Sequence, residues 1–296
     1  MISSRRSFIK KTTALGAATS LSSLPFSLLA NPKSDPIKIG IIGLDTSHAP
    51  AFTKLFNVES PKPELAGFRV VAAYPYGSRD IKSSMDRIPG YIDQVKELGV
   101  EIVDSIDALL QKVDVVLLET NDGKPHLEQA RAVFKAKKPV FIDKPVAGSF
   151  ADAVKIYQEA KAAGVPMFSS SSLRYQKNVH AVRHENKIGK VLACDAFSPA
   201  TLEPSHPDLF WYGIHGVEIL FTAMGAGCES VTRYSTQDAE VVVGTWKDGR
   251  IGTFRGMRSG KHDYGGTAFG TEGNLFFGPI EGYEPLVVQI ADFFRT

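Results

Sequence analysis

Residues 138–147 read Lys-Pro-Val-Phe-Ile-Asp-Lys-Pro-Val-Ala. Val140, Phe141 and Ile142 form a short apolar run that predicts a buried strand, and the run stops at Asp143-Lys144-Pro145. Pro145 has no backbone N–H and so ends the ladder, while Lys144, standing before a proline, is pushed toward extended geometry. Ligands of open α/β sheets collect outside the carboxyl ends of the strands. Lys144 therefore either points an ammonium into such a crevice or is a solvated lysine at the start of a loop.

Working outward, strands and helices alternate over residues 37–170. Ile-Lys-Ile-Gly-Ile-Ile-Gly at 37–43 reads as a strand ending in glycine, followed by a helix over 49–57. Strands are predicted over 68–74, 100–103, 113–119 and 165–169, and helices over 93–98, 106–111, 125–135 and 150–163, the last closed by Gly164. This alternation predicts a parallel sheet wound on both faces. After Arg174 the rhythm changes: a helix over 178–187 and another over 214–224 accompany strand-like stretches at 191–199, 229–235, 239–246 and 250–258. Lys247-Asp248-Gly249-Arg250 and Gly270-Thr271-Glu272-Gly273 are turn signals. The expected architecture is α/β over 37–172, then an α+β domain with a mostly antiparallel sheet over 173–296. The open sheet of the second half could pair face to face with a second copy.

At 296 residues the chain is long enough for two domains. Its formal charge of +2 misleads, because Arg5, Arg6, Lys10 and Lys11 sit in residues 1–30 with no acid; without them the balance is −2. No basic run suggests nucleic acid as a partner. Ser4-Arg5-Arg6-Ser7-Phe8-Ile9-Lys10 resembles a twin-arginine export motif, followed by a weakly apolar stretch diluted by Gly16 and Pro25 that makes a poor membrane span. The expectation is a signal over 1–30 cleaved after Ala30, a linker over 31–36, a periplasmic or otherwise exported protein, and no membrane anchor after cleavage. Cys194 and Cys228 have no metal-type spacing and are expected to be free thiols.

Four loops carry polar groups toward the predicted crevice. Gly43-Leu44-Asp45-Thr46-Ser47-His48 occupies the turn where a dinucleotide fold needs glycines, so that backbone amides and a helix N-terminus meet a diphosphate. Asp45 stands at the second glycine position and His48 at the third. Asp45 would repel a diphosphate, so either it turns away, or the phosphates sit differently, or no dinucleotide binds; Thr46 and Ser47 offer hydroxyls and, with Asp45, helix N-caps. The second strand ends Tyr74-Pro75-Tyr76-Gly77-Ser78-Arg79, without the acid that holds an NAD ribose. Ser78 and Arg79 either receive a 2′-phosphate, favouring NADP, or form an ordinary turn. Asn121 and His126 lie in the loop after the strand at 113–119, where His126 either faces the crevice or hydrogen-bonds the loop. His215 and Glu218 share a face at a helix start; the histidine either relays a proton with Glu218 orienting it, or is a satisfied core residue. His180 and His184, four apart on a helix, have metal-type spacing but no third ligand, and no metal is expected.

The order of these pieces over residues 37–296 resembles the Gfo/Idh/MocA family of oxidoreductases. Asp143-Lys144-Pro145 is similar to its Glu-Lys-Pro motif and Asn121 to His126 to its Thr-Pro-Asn-x-x-His loop. Arg174 followed by Ile188-Gly189-Lys190-Val191 resembles the start of its second domain. Gly213-x-His215-x-x-Glu218 resembles its Gly-x-His-x-x-Asp segment, and residues 270–273 its Gly-Thr-Glu-Gly turn. The resemblance implies a Rossmann-type domain binding NAD or NADP, hydride transfer on a small carbohydrate-like substrate such as a sugar or polyol, and Lys144 and His215 as proton-handling residues. Gly43, Asp45, Thr46, Ser47, His48, Asn121, His126, Asp143 and Lys144 are then the expected cofactor residues. Lys144, Arg174, Trp211, His215 and Glu218 are the expected substrate residues.

Two departures stand out. Two of three phosphate-turn glycines are replaced, and Trp211 stands where the family often has an Asp four residues before its histidine. An indole there suits stacking on a sugar face. The alternative is a redox-silent relative with sugar lyase or hydratase chemistry, or sugar binding alone. The family usually continues into a last helix beyond the helix-like stretch 286–294, so a truncated C-terminus is also expected.

Overall fold

The computed structural model describes residues 35–296; the expected export signal and most of the linker lie outside the described residues. Six parallel strands form the first sheet: β1 (Ile37–Ile42), β2 (Phe68–Tyr74), β3 (Glu101–Ile102), β4 (Val115–Leu118), β5 (Val140–Ile142) and β6 (Met167–Phe168), in the order β3-β2-β1-β4-β5-β6. The helices between them are α1 (His48–Asn57), α2 (Lys82–Met85), α3 (Ile88–Glu97), α4 (Ile106–Leu110), α5 (His126–Lys135) and α6 (Phe150–Ala163). Every residue of β4 and β5 is buried, as continuous apolar runs must be when helices cover both faces. The winding reverses between β1 and β4, which opens the crevice of a doubly wound sheet there.

Local chemistry sets the helix limits. Ser149 Oγ accepts the Asp152 N–H at 3.1 Å to start α6, and Gly164, with φ of 63°, closes it in a left-handed turn. The cap expected for α1 does not form: Ser47 sits at the cap position without a side-chain cap hydrogen bond, and Asp45 is engaged elsewhere.

The second sheet contains β7 (Val191–Pro199), β8 (Cys228–Ser235), β9 (Ala239–Trp246), β10 (Ile251–Met257), β11 (Gly265–Gly270) and β12 (Asn274–Phe277), in the order β12-β11-β7-β10-β9-β8. Only β7 with β10 is parallel among the described pairs. β11 and β12 escape the sequence reading because β11 is Gly-Gly-Thr-Ala-Phe-Gly, a poor strand former. Its glycines are there for space: a Cβ on Gly266 would come within 2.3 Å of the Asp195 carbonyl oxygen, and one on Gly265 within 2.6 Å of the Phe197 ring.

α7 (Lys177–His184) and α8 (Ile214–Met224) cover one face of this sheet with Val179, Val182, Ile219, Leu220 and Ala223, packed on Trp246, Phe254 and Phe277. Leu192, Val231, Tyr234, Ile251 and Phe276 remain exposed along its strands. The last helix, α9 (Glu284–Arg295), buries Leu286, Val287, Ile290, Ala291 and Phe294 in the core of the first sheet, beside Ile39, Phe52 and Phe141. The sequence boundary at residue 172 thus places α9 in the wrong half: its apolar stripe completes the first sheet's core. Cys194 and Cys228 are free, one buried and one half-buried, and burial pushes the Cys194 thiol up to about 12.

Candidate active site

A cavity of about 340 Å³ lies where the two halves meet. Its floor is the carboxyl edge of the first sheet: Thr46, Ser47 and His48 from the β1–α1 turn, Asn121 from the loop after β4, and Lys144 from the loop after β5. Ser83 and Arg87 flank it. Its roof is Trp211, Tyr212 and His215, at and before the start of α8, with Tyr264 and, ahead of α9, Tyr283. The volume lies at the low end of the roughly 300–1,000 Å³ of small-molecule sites, with aromatic walls and a few convergent polar groups.

The floor is charged. Asp143 is fully buried; its Oδ1 accepts the Lys144 N–H at 2.8 Å and its Oδ2 stands 3.8 Å from Lys144 Nζ. His48 Nδ1 is 3.0 Å from Asp143 Oδ2 and 3.6 Å from Glu119 Oε2. The 3.0 Å contact has the separation but not the alignment of a hydrogen bond, so it is an ionic contact. Burial alone would pull the His48 pKa down, but the charges of Asp143 and Glu119 outweigh it and hold it at about 10. Burial pushes Glu119 up to about 7 against the pull of His48, while His48 and Lys144 overcome burial to hold Asp143 well below the usual carboxylate range.

The roof is neutral. His215 Nδ1 hydrogen-bonds Ser171 Oγ at 2.7 Å, and Tyr264 meets the ring edge-on at 5.5 Å. Burial first, and then the Lys144 charge, drive its pKa well below 6.5. In the tautomer whose Nδ1–H donates to Ser171, Nε2 is a free base. Lys144 and His215 thus line one cavity, as the sequence reading required.

Other expected residues sit differently. Asp45 does turn away from the phosphate turn: its carboxylate accepts the Asn121 N–H at 2.9 Å, the Ser78 N–H at 2.8 Å and the Ser78 hydroxyl, entirely buried. Ser78 is thereby committed and Arg79 faces Glu128 at the surface, which removes the basis for a 2′-phosphate site. Gly43 has φ of 92°, and a Cβ there would meet Thr120 backbone atoms at 2.6 Å, so the turn admits only glycine. His126 is buried outside the cavity lining, with its ring nitrogens on the Thr120 and Val146 carbonyls; it holds the loop.

Glu218 does not touch His215. It accepts from Ser170 Oγ at 2.8 Å, the Ser171 N–H at 2.9 Å and Arg174 Nε at 2.8 Å, so it fixes the loop that in turn fixes His215. Arg174 lines a separate groove with His180 and His184. Trp211 lies 5.0 Å from the His206 ring, whose Nε2 accepts the Gly123 N–H at 3.0 Å. Sequence reasoning missed Ser171, Glu119 and His206. The glutamate had a signal: a single charge ending the apolar run Val115–Leu118.

Residues 37–171 match the Gfo/Idh/MocA profile, described as an oxidoreductase family with an NAD-binding Rossmann fold. Over these residues the chain is similar to a Gfo/Idh/MocA Rossmann domain. Over 188 residues the chain is 25% identical to the myo-inositol 2-dehydrogenase of Thermotoga maritima, covering 55% of this chain and 56% of that protein. A 104-residue stretch is 33% identical to the 2,7-anhydro-N-acetylneuraminate hydratase of Escherichia coli, covering 33% of this chain and 28% of that one. The chain thus spans about half the length of the first of these curated relatives, and less of the second. Among solved structures, the Lactobacillus casei scyllo-inositol dehydrogenase with bound NAD(H) and scyllo-inositol superposes with a TM-score of 0.65 at 18% identity, over 82% of this chain and 76% of that one. At that identity the likeness is one of fold.

Proposed function

We propose that this chain is an NAD-dependent oxidoreductase acting on a secondary hydroxyl of a cyclic polyol or sugar. The observation that carries the reading is the meeting of a lysine and a neutral histidine, Lys144 and His215, on one cavity that opens at the switch point of a Gfo/Idh/MocA Rossmann sheet.

The residues present fit a dinucleotide. The close Gly43 turn is kept, the Asp45 charge is turned inward and satisfied by three donors, and Ser47 at the cap position of α1 makes no side-chain bond to its amides, where Thr46 Oγ1 accepts the His48 N–H at a long 3.5 Å. Thr46, Ser47 and those amides would hold the diphosphate, with Asn121 beside them. When bound, NAD supplies the acceptor or donor of a hydride.

Lys144 donates a hydrogen bond to the reacting oxygen and stabilises the charge that develops on it. His215 Nε2 takes the hydroxyl proton in oxidation and returns it in reduction. Ser171 fixes the ring, and Glu218 fixes Ser171. Trp211, Tyr212 and Tyr264 offer apolar faces to a ring substrate. Supporting the substrate class are the inositol dehydrogenases that this chain resembles. The test is turnover of inositols and hexoses with NAD by wild type and by Lys144→Ala. Full activity in the variant overturns the assignment.

A second reading, sugar hydration or elimination without net redox change, is favoured by two observations: His48 and Asp45 stand at two of the three phosphate-turn glycines, and the hydratase is the more identical of the two relatives over its shorter stretch. Nicotinamide and adenine absorbance of the purified protein separates the two, since a clean protein spectrum together with carbohydrate turnover that needs no added NAD supports the second.

The chain is also proposed to be exported through the twin-arginine pathway, on the strength of residues 4–10. Among the described residues no helix is long and apolar enough to cross a membrane. Replacing Arg5 and Arg6 with lysine should leave the protein in the cytoplasm on fractionation. The exposed apolar residues along the second sheet support a homo-oligomer, which sedimentation will read.

A further inference from the structure

Beneath the cavity, three side chains with metal-binding atoms come together from three elements. His48 opens α1, Glu119 follows β4 and Asp143 follows β5. Glu119 and Asp143 are fully buried, and His48 shows only a sliver of its ring to the cavity. One atom from each, His48 Nδ1, a Glu119 oxygen and an Asp143 oxygen, all lie within 4.8 Å of one another, with contacts of 3.0 and 3.6 Å from the imidazole. Donor atoms held by one ion at roughly 2.0–2.2 Å sit about 3 to 3.5 Å apart, so the two contacts of the imidazole are close to the spacing of a coordination shell.

A second observation concerns what these atoms lack. His48 Nδ1, Asp143 Oδ2 and both carboxylate oxygens of Glu119 are buried with no hydrogen-bond partner. Buried carboxylates are ordinarily paired, hydrogen-bonded or bound to a metal. An ionic network without metal, in which Lys144 and a charged His48 face the two carboxylates, balances the charge. It still leaves Glu119 with no donor on either oxygen. A cation at the common focus satisfies one atom of each of the three residues at once. The second shell is also in place for Asp143, because its Oδ1 is tied to the Lys144 N–H and Oδ2 is left pointing inward.

We propose that His48, Glu119 and Asp143 are the protein ligands of one divalent first-row transition ion, of the Mn²⁺, Fe²⁺ or Zn²⁺ class. The imidazole argues against Mg²⁺ and Ca²⁺, which take oxygen ligands, and the absence of thiolate from the set argues against a soft-metal site. Three protein ligands leave coordination positions free, as in catalytic rather than structural sites, and His48 borders the cavity. The ion takes the place of the proton that the two carboxylates otherwise hold on His48. Beneath the cavity it would supply a Lewis acid to a bound oxygen ligand. Binding of the ion does not depend on hydride transfer, and the proposal stands apart from that reading. It revises the sequence expectation of no metal, which weighed only the His180–His184 pair.

The test is made on the whole exported form of the protein, stripped with a chelator and titrated with MnCl₂ and ZnCl₂ by calorimetry, then with CoCl₂ by visible absorption. Wild type should take up one ion per chain, show a cobalt d–d band, and melt at a higher temperature with the ion than without. His48→Gln, Glu119→Gln and Asp143→Asn should each weaken binding at least tenfold, while His180→Ala/His184→Ala binds as wild type does. Circular dichroism checks that each variant folds, and the folded ones among the three decide. Failure of folded wild type to bind a stoichiometric ion overturns the proposal on its own. So does uptake that survives in the three ligand variants or disappears in the His180/His184 control. No step uses NAD or a polyol, so a negative result leaves the roles of Lys144 and His215 untouched.

Discussion

The floor and the roof of the cavity each bury a histidine, yet the two rings are driven in opposite directions. On the floor, strand ends deliver Asp143 and Glu119 beside His48, and their charges hold its pKa at about 10. On the roof, His215 has a hydroxyl and aromatic edges for neighbours; burial and then the Lys144 charge press its pKa well below 6.5. Burial lowers both pKa values, so the charges in reach decide the sign. One histidine is thereby fixed in a charged cluster, and the other is left as a neutral base at the surface of the substrate space.

The sharpest way to break this contrast is to remove the floor's cation. Lys144→Ala should lower kcat for hydroxyl oxidation by about 10³-fold, the order of losing a charge-stabilising donor in a dry site. Lys144→Met should also raise the His215 pKa toward 6.5, read by NMR titration of the ring; an unmoved ring would mean that the two groups do not share a field.

Next comes the roof itself. His215→Gln should cost on the order of 10²-fold in kcat, the scale of a positioned general base. Because the wild-type ring stays neutral under mild acid, kcat/KM should show its acid limb below pH 6.5 and none at that value. The same shift affects folding. The unfolded chain takes up a proton at His215 below about pH 6.5 while the folded chain resists, so the contribution of this group is present above that pH and is lost as pH falls through it. Acid melting curves of His215→Gln should be flatter in that range.

Ser171→Ala leaves the imidazole in place but frees its rotation. A loss of about fivefold in kcat, with KM nearly unchanged, is expected from one lost positioning hydrogen bond worth roughly 1 kcal/mol. The smallest effect is Arg174→Ala. Its guanidinium belongs to a different groove, so KM for the polyol should stay within about twofold, the change being no more than a rim ion pair is worth. A large rise in KM would restore the role in substrate binding that the sequence suggested.

Much of the scaffold was legible because it is written in local signals. Ser149 and Gly164 bracket α6, the apolar runs of β4 and β5 announce strands covered on both faces, and Pro145 marks where the central loop turns. Lys144 and His215 were legible as a pair only through the family pattern around each. The rest depends on contacts distant in sequence. Glycines in β11 are chosen for space against Phe197 and Asp195, which hides the strand from any propensity scale. Ser171 earns its role through His215, far along the chain, and one serine among Ser169 to Ser172 carries no mark. His48, Glu119 and Asp143 share neither a helix face nor a spacing, so their meeting follows from strand order alone.

The docking of α9 has a consequence for how this protein is made. Leu286, Val287, Ile290, Ala291 and Phe294 fill a core otherwise built from the first strands and helix of the chain. A ribosome that has finished both sheets has therefore still not released the dozen residues that shield one side of the earlier one. Until α9 has been made, that side is left bare to solvent or to a chaperone, and the core of the first sheet closes only after the second sheet has been synthesised.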